Sequence, residues 1–494
     1  MNAAYLKQTE ISFFSDAKEQ LEVIISQLLS DDYVNIEHGN VESYINEQGT
    51  ELLRRLFQGW LDKCAADEVA HSSIKDTNGV ALTHIRAKTK RTLTTLFGDV
   101  RVKRMGYSKT KCKSVFPLDG KLNLAQDQYS DGIRKRVAKE VVRGSFDNAV
   151  ESISDTTGGI VPKRQSLNLT RNIAQDFEAY YEQNRFTEPE QTKGHLVLTF
   201  DGKGVVMRHD SLRECTKKSA AKHHKLNARL SPGEKRDRKR MAQVAAVYTT
   251  QPHVQTAESI MKLDKDSRVV PFRPPIRNKR VWASVEREAE TVIKEAFLEA
   301  RQRDPLQRRK WVVLIDGLPQ QIRLIKKVMK ELDLKATIVM DFIHVLEYVW
   351  KAAWCIYDKD DKSVESWVAK QAVKILSGGC SQVAKGIRQT ATKRAIFNRE
   401  NIDKCADYLL KNKPRLQYDE ALEDGFPIAT GVIEGACRHL INDRLDITGA
   451  RWSLDGAEAM LKLRSLKSSG DFEQYWDFHK EKEKSRNYDF LDKI

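Results

Sequence analysis

The chain has 494 residues, of which 40% are hydrophobic, 31% are charged and only 12 are proline. This composition is typical of folded protein, excludes fibrous and disordered classes, and at this length leaves room for several domains. No apolar run approaches the roughly 18 residues of a membrane span, and the start lacks a signal-peptide pattern. We therefore expect a cytoplasmic, nucleoid-associated protein with no membrane partner. Its seven cysteines show no C-x-x-C spacing and are expected to be reduced thiols.

The formal net charge is +15, and it is unevenly distributed along the chain. Residues 1–60 carry 4 basic and 10 acidic side chains, whereas residues 81–140 carry 15 basic and 5 acidic ones. Residues 211–240 carry another 11 basic against 3 acidic side chains. A charge run is often only a solvated face, but positive charge concentrated in this way also suits a phosphate backbone.

The N-terminal region, residues 1–89, shows helical periodicity. Leu21, Ile25 and Leu28 recur at helical steps, and so do Leu53, Leu56 and Trp60 further along the chain. These side chains are predicted to form core or helix-pairing faces, and the region is a candidate for self-association.

Residues 90–190 are predicted to bind DNA. Arg91 to Arg104 alternates β-branched and polar residues around Gly98-Asp99, which predicts a basic hairpin carrying Arg101, Lys103 and Arg104. The alternative is an ordinary sheet edge that uses basic side chains for solubility.

Further along, residues 146–173 have the layout of a helix-turn-helix. Gly158-Gly159 would form the turn, and the second helix would begin near Pro162. Many helical hairpins bind nothing; if this one reads DNA, the contacts would come from the start of its second helix. The candidate DNA-contacting residues there are Lys163, Arg164, Gln165 and Asn168.

Beyond residue 190 the pattern changes to strands. We predict strands at 195–200, 204–208 and 243–249, then alternating helices and strands with strands at 311–315 and 336–340. This order predicts a mixed sheet with helices on its faces, an α/β fold. The basic segment 211–240 would be an insertion between the second and third strands, with Lys235, Arg236, Arg238, Lys239 and Arg240 as DNA-binding candidates.

Three aspartates, Asp201, Asp316 and Asp341, each directly follow an apolar strand. A single such aspartate is usually a turn former or a helix cap. Ligands of open α/β sheets, however, gather beyond the strand ends, so matching carboxylates there indicate a divalent-metal site. Glu434 is the candidate third ligand, because Glu434, Arg438, Ile441 and Leu445 are spaced for one side of a helix.

The strings LTFDGKGVVMR, VVLIDGLPQ, VMDFIHVLEYVW and GVIEGACRHLINDRL resemble DDE transposases of bacterial insertion sequences. The resemblance is to the ISKra family and more distantly to the Mutator-like group, and it covers residues 90–466. It implies an RNase H-like catalytic domain in which Asp201, Asp316 and Glu434 form the metal-binding triad. Asp341 and His344 match the D-x-x-H element of Mutator-like enzymes; the alternative is a helix cap beside an ordinary polar residue.

The resemblance also suggests a domain plan. The catalytic domain would occupy residues 191–355 and 426–494, interrupted by an all-helical insertion at residues 356–425. Arg451 and Trp452, in TGARWS, would contact phosphate and stack on an unpaired base, with buried packing of the tryptophan as the equal alternative.

The implied function is cleavage of phosphodiester bonds at the terminal repeats of an insertion sequence and transfer of the 3′ ends to target DNA. The expected cofactor is Mg²⁺, with Mn²⁺ as the alternative. The expected partners are double-stranded DNA at the element ends, target DNA, and further copies of the chain in a homodimer or higher oligomer. Two alternatives remain open: an RNase H-like structure-specific nuclease, and a domesticated DNA-binding regulator without catalysis.

Overall fold

The computed structural model describes residues 12–76, 78–183, 188–222, 238–261, 274–358, 360–447 and 449–489. The chain forms two compact units. The first unit consists of Met1–Tyr180 together with Phe472–Ile494, and the second consists of Tyr181–Asp471. The sequence had placed residues 472–494 with the catalytic part, whereas the structure packs this C-terminal segment in the first unit.

The first unit begins with two helices, α1 (Ser15–Leu28) and α2 (His38–Ala66). A two-stranded sheet of β1 (Ile74–Lys75) and β2 (Ala81–Leu82) follows, and then a long antiparallel hairpin of β3 (His84–Thr95) and β4 (Gly98–Ser108). One face of the hairpin packs against α2, because Leu93, Val100 and Val102 are buried against Leu61. The predicted hairpin is therefore present.

The hairpin turns two residues earlier than predicted. Thr95 pairs with Gly98, so the connecting residues are Leu96 and Phe97. Gly98, with a φ of 116°, is the first residue of the second strand.

Helices complete the first unit. Ser130 and Ser145 accept hydrogen bonds from the backbone N–H groups of Ile133 and Asn148, which fixes where α4 and α5 begin. The helices are α3 (Pro117–Lys121), α4 (Asp131–Val141), α5 (Phe146–Thr156), α6 (Lys163–Ala174), α7 (Phe177–Gln183), which crosses into the second unit, and the C-terminal helix, here called α20 (Phe472–Tyr488).

The second unit is built on a five-stranded mixed sheet with the order β7-β6-β5-β8-β9. Its strands are β5 (His195–Val206), β6 (Lys239–Thr250), β7 (Arg277–Ser284), β8 (Trp311–Ile315) and β9 (Thr337–Met340). β6 is antiparallel to β5 and β7, whereas β5, β8 and β9 are parallel. The predicted mixed α/β architecture is thus confirmed.

Two details of the predicted strand order are wrong. Residues 204–208 do not form a returning strand, because β5 runs through Asp201 as far as Val206 and pairs with β6 along that length. Gly202 and Gly204 suggest a turn in the sequence, but they lie opposite Gln243 and Met241 in the ladder. The basic segment 211–240 therefore follows the first strand and ends in the second, which begins at Lys239, and the third strand, β7, was not predicted.

Helices lie on both faces of the sheet. Phe200 stacks on Phe297 of α10 (Ala289–Arg303), whereas the next residue, Asp201, contacts Cys437 of α17 (Gly431–Cys437). Successive strand residues point to opposite faces, so α10 and α17 cover different faces. Between β5 and residue 355, the second unit contains helices α8 (Glu214–Lys222), α9 (Ala257–Met261), α10 (Ala289–Arg303), α11 (Pro319–Glu331) and α12 (Phe342–Ala353).

The described part of the predicted insertion, residues 356–425, is helical. It contains α13 (Ser363–Leu376), α14 (Cys380–Lys393), α15 (Glu400–Asn412) and α16 (Tyr418–Glu423). The chain then forms α17 (Gly431–Cys437), a π-helical turn (Arg438–Asn442), α18 (Asp443–Leu445) and α19 (Leu454–Ser469).

Among the residues that the structure describes, no helix is long and apolar enough to cross a membrane.

Candidate active site

The strand register brings the three aspartates side by side. Thr199 of β5 pairs with Leu314 of β8, so Asp201 and Asp316 lie at the same level two residues further on. Ile315 pairs with Met340 of β9, which places Asp316 level with Asp341. The backbone N–H of Asp341 donates to the Ile315 carbonyl at 2.7 Å, so the chains are still adjacent at this level. Three neighbouring parallel strands therefore present carboxylates at one edge of the sheet.

Asp201 is half-buried and contacts the thiol of α17. Its Oδ1 accepts a hydrogen bond from the Gly202 N–H at 2.6 Å, and its Oδ2 accepts one from the Cys437 thiol at 3.1 Å. Burial raises the pKa of the Cys437 thiol, and the negative charges of Asp201 and Glu434 raise it further. Cys437 is therefore a neutral hydrogen-bond donor to Asp201.

Asp316 begins the loop after β8. Its Oδ1 accepts from the Leu318 N–H at 3.2 Å, and its backbone carbonyl accepts from the Tyr408 hydroxyl at 3.5 Å. Gly317 has a φ of 97°, and a Cβ at this position would lie 2.2 Å from the Met340 side chain. Only glycine fits here, and it lets the chain turn immediately after the carboxylate.

Asp341 is fully buried and well hydrogen-bonded. Its carboxylate accepts from the Ile343 N–H at 2.8 Å, from the Thr430 hydroxyl and from His344 Nδ1 at 3.3 Å. Burial alone would raise the pKa of Asp341, but the hydrogen bonds from His344, Thr430 and Ile343 outweigh it, and the pKa is lowered. Asp341 is both the N-cap of α12 and the partner of His344.

His344 lies one turn into α12, near two of the aspartates. Its hydrogen bond to Asp341 raises its pKa against the opposing effect of burial, and the charges of Asp341 and Asp316 add to the rise. The imidazole therefore holds a proton next to the carboxylates more readily than an isolated histidine would.

Glu434 is exposed on α17, three residues before Cys437 and thus on the same side of the helix. The prediction that Glu434, Arg438, Ile441 and Leu445 lie on one side of a helix is wrong. Glu434 and Arg438 are exposed, whereas Ile441 and Leu445 are fully buried. The π-helical turn at Arg438–Asn442 changes the helical register, so the second half of the row turns toward the core.

The described residues contain no group of three or more His, Cys, Asp or Glu side chains arranged to hold a metal ion. The structure brings Asp201, Asp316 and Asp341 to one sheet edge, and it places Glu434 beside Cys437, which contacts Asp201. The Asp341 carboxylate already accepts three hydrogen bonds. The more accessible carboxylates are therefore those of Asp201, Asp316 and Glu434.

Three residues at this site were missed by the sequence reasoning: Thr430, Cys437 and Tyr408. Tyr408 comes from α15 of the helical insertion and stacks on Tyr348 of α12, with ring centroids 4.0 Å apart. No local pattern distinguishes these residues, because each reaches the aspartates from a distant part of the chain. For Thr430 and Cys437, the one available signal was their position within four residues of Glu434.

Trp452 is buried, so the structure favours the packing alternative over base stacking. Its indole N–H donates to the Leu445 carbonyl at 3.1 Å, and its backbone bridges to Met207 at the end of β5. Arg451 is exposed.

The basic hairpin divides its basic side chains between two faces. Arg101 and Lys103 are exposed, and Lys103 lies directly opposite Lys90. Arg104 points the other way, forms an ion pair with buried Asp119 and lies 3.9 Å above the Phe116 ring. Its prediction as a DNA contact is therefore wrong, because alternation along the strand turns it toward the core.

The predicted helical hairpin is present as α5 and α6, and its turn packs on the tip of the β-hairpin. The Gly158 N–H donates to the Leu96 carbonyl at 2.8 Å, and a Cβ on Gly158 would lie 2.5 Å from the Phe97 backbone. Lys163, Arg164 and Gln165 are exposed and Asn168 is half-buried at the start of α6. Lys163 also forms an ion pair with Asp147 at 2.6 Å.

The basic insertion is described only in part. Lys235 and Arg236 lie outside the described residues. Arg238 and Lys239 are exposed. Arg240 donates to the Val285 carbonyl at 2.6 Å and to the Ser211 carbonyl at 3.4 Å, so its guanidinium is bound to backbone within the unit.

Sequence comparison finds similarity in the N-terminal part of the chain. The sequence model of an uncharacterised protein family (UPF0236) matches residues 32–226, which run from before α2 to just beyond α8 and include Asp201. The match covers less than half of the chain. No curated protein matches it.

Proposed function

We propose that the protein is a DDE-type DNA transposase that cleaves phosphodiester bonds at the ends of an insertion sequence and transfers the 3′ ends to target DNA. The observation that carries this proposal is the alignment of Asp201, Asp316 and Asp341 on three adjacent parallel strands, with Glu434 on the helix that packs against Asp201.

The strand order supports an RNase H-like domain. If the strands are numbered along the chain, they lie side by side in the sheet in the order 3-2-1-4-5, and the second strand, β6, is antiparallel to its neighbours. The resemblance to DDE transposases implies an RNase H-like mixed sheet, and this sheet is mixed. Helices α13 to α16 would then be the insertion of that domain.

Asp201, Asp316 and Glu434 have the carboxylate chemistry that a divalent cation needs, although the described residues do not already form a three-ligand group. Mg²⁺ prefers oxygen ligands and is commonly held by one or two carboxylates, with waters and substrate phosphates completing its shell. Asp201 and Asp316 would provide the first two ligands, and exposed Glu434 would provide a third. Bound there, Mg²⁺ would activate the attacking oxygen and stabilise the leaving one.

The remaining residues of the site would position these ligands. Cys437 would orient Asp201 through its thiol, and Thr430 would join the start of α17 to Asp341. His344, whose raised pKa favours the protonated form, would supply positive charge near the scissile phosphate.

The first unit is the proposed end-binding part. Lys90 and Lys103 face each other across the hairpin, and Lys103 is paired with Asp62 of α2 at 2.9 Å. Phosphate bound along that face would be attracted by the exposed Lys90 and Arg101. The start of α6 would then reach base edges, since the turn before α6 rests on the hairpin tip.

Synapsis of two element ends requires at least two copies of the chain. We propose that the copies associate through α1 and α2, whose apolar side chains are left uncovered. Those exposed in the structure include Leu21, Ile25, Ile45, Leu53, Leu56 and Trp60.

The test is cleavage and strand transfer with supercoiled plasmid and DNA carrying the element ends. Asp316→Ala and Asp316→Asn should abolish both reactions, because they remove a metal ligand, while binding to end DNA should be retained. Asp360→Asn, which alters an exposed acid of the helical insertion, is the matched control and should be fully active.

The outcomes separate the alternatives. Cleavage without strand transfer would indicate a structure-specific nuclease. End binding by a wild-type protein that shows no metal-dependent cleavage would indicate a regulator. Undiminished cleavage by Asp316→Ala would refute the catalytic assignment.

A further inference from the structure

The helical insertion contains an acid-free basic segment. Residues 380–399, which form α14 and the loop after it, carry five basic and no acidic side chains. Arg388 and Arg399 are paired with acids of α15, whereas Lys385 and Lys393 are exposed. A charge run alone is usually a solvated face, so its surroundings decide its role.

The first feature of the basic segment is a shallow groove along α14. It is lined on one side by Leu410 of α15 and on the other by one face of α14, whose side chains there are Ser381, Lys385, Arg388, Gln389, Thr392 and Lys393. Arg388 is paired with Asp403 and Asp407 of α15. From Ser381 to Lys393 the face is about 18 Å long. Its lysines, hydroxyls and amide offer the donors that bind phosphate oxygens.

The second feature of the basic segment is Phe397, whose side chain is fully exposed at 102%. A single exposed apolar residue is ordinary on a protein surface. Here, however, the phenylalanine lies four residues after Lys393, in the loop that ends the basic segment.

The loop that carries Phe397 is well defined. The Ile396 N–H donates to the Ala391 carbonyl at 3.0 Å and the Ala395 N–H donates to the Thr392 carbonyl at 3.2 Å, which together form a Schellman motif. Ala395 adopts a φ of 50°, a left-handed conformation that a residue with a Cβ adopts only against a steric penalty. The motif thus holds Phe397 outward from a fixed helix end.

We propose that α14 and its C-terminal loop form a second DNA contact, in which Lys385 and Lys393 bind phosphates and Phe397 stacks on an unpaired base. The inference rests on the proposed function, since cleavage at an element end is what would supply unpaired bases. Aromatic side chains beside basic ones are the usual means of binding single strands, because every base has a π-face.

The experiment measures binding in EDTA, so that no cleavage contributes. The two probes are a blunt DNA duplex and the same duplex with a three-base 3′ overhang containing 2-aminopurine. Phe397→Ala should weaken binding to the overhang probe about ten-fold and abolish quenching of 2-aminopurine, with little effect on the blunt probe. Phe397→Trp should retain both properties, and Leu306→Ala, at another exposed apolar position, should behave as wild type.

Replacing the two lysines should change DNA binding in a different way from replacing Phe397. Lys385→Gln with Lys393→Gln should weaken binding to both probes and lower the salt slope by about two, since each phosphate contact contributes about one. Lys404→Gln is the control, because Lys404 is exposed but paired with Glu400.

Equal binding of both probes by Phe397→Ala and wild type would overturn the proposal. A change in self-association without a change in DNA binding would also overturn it, in favour of a protein partner. Neither result depends on catalysis, so a failure of the transposase proposal in the plasmid assay would be seen separately.

Discussion

Asp201 and Asp341 differ in how firmly their carboxylates are held. Asp341 accepts hydrogen bonds from a backbone N–H, a hydroxyl and a histidine that favours its charged form. Asp201 accepts from its neighbour's N–H and from a thiol, which is a weak donor. Replacing the Cys437 thiol by a cation costs little, so we expect Asp201 to be a ligand and Asp341 to be a fixed support for His344.

His195, at the start of β5, leads to a pH prediction. Its ring is buried, its Nε2–H donates to the Asp424 carbonyl at 3.0 Å, and its Nδ1 has no hydrogen-bond partner among the described residues. Burial lowers its pKa, which the Asp424 carbonyl opposes and the charge of Lys310 reinforces. The folded state therefore binds fewer protons at this ring than the unfolded state does.

The stability contributed by neutral His195 is complete above its unfolded pKa of about 6.5 and is lost as the pH falls from there through the lower folded pKa. We expect the free energy of unfolding to decline in this window by at most about 1.4 kcal/mol per pH unit. His195→Gln, which does not titrate, should flatten the curve measured by urea unfolding from pH 7 to pH 5. Parallel curves for the two proteins would contradict the prediction.

At the scale of elements, the strands position the site more firmly than the helices do. β5 and β8 fix Asp201 and Asp316 through a continuous ladder, whereas Glu434 depends on a helix of seven residues followed by a π-helical turn. π-helical turns often accompany functional sites, where they redirect side chains. Here the turn lets Glu434 remain in solvent while Ile441 and Leu445 are buried.

The uncovered apolar side chains of α1 and α2 lead to a prediction about assembly. Leu53 and Trp60 lie seven residues apart on α2 and are each more than two-fifths exposed. If a second copy covers them, Leu53→Glu with Trp60→Glu should convert a dimer or larger assembly to monomers, because association would bury two charges. Light scattering measures the change, and Ser43→Glu, at an exposed polar position of the same helix, should keep the assembly. A double variant that stays assembled would locate the interface elsewhere.

At the scale of the whole molecule, the N-terminal helices and the C-terminal helix α20 belong to the same unit. The C-terminal helix α20 is held there by a buried ion pair, with Arg134 bonded to both carboxylate oxygens of Glu483 at 2.5 and 2.8 Å. The Tyr475 hydroxyl donates to the Ile173 carbonyl, and His479 pairs with Asp176 at 2.7 Å. The helix is therefore an integral part of the unit that contains the hairpin and α6.

Removing one partner of this ion pair should destabilise the first unit. Glu483→Gln leaves the fully buried Arg134 with only Asp127 and Asp131 as counter-charges, and we expect a loss of about 3 kcal/mol. Hydrogen exchange should then accelerate in α4 and α6 while β5 and β8 of the second unit stay protected. Glu481→Gln, on the exposed side of the same helix, should change neither. Unchanged exchange in α4 would show that the pair contributes little.

Local physics alone determined much of this protein. Helical periodicity, the alternation of residues around Gly98-Asp99 and apolar runs that end at aspartates predicted the helices, the hairpin, the mixed sheet and the candidate carboxylates, because each signal lies within a few residues of its effect. Tertiary structure decided the rest. Burial and pairing depend on partners that are distant in the chain. Only the fold showed that β5 continues past Asp201, that Arg104 is bound to Asp119 and that Trp452 is buried. Only the fold brought Cys437, Thr430 and Tyr408 to the aspartates.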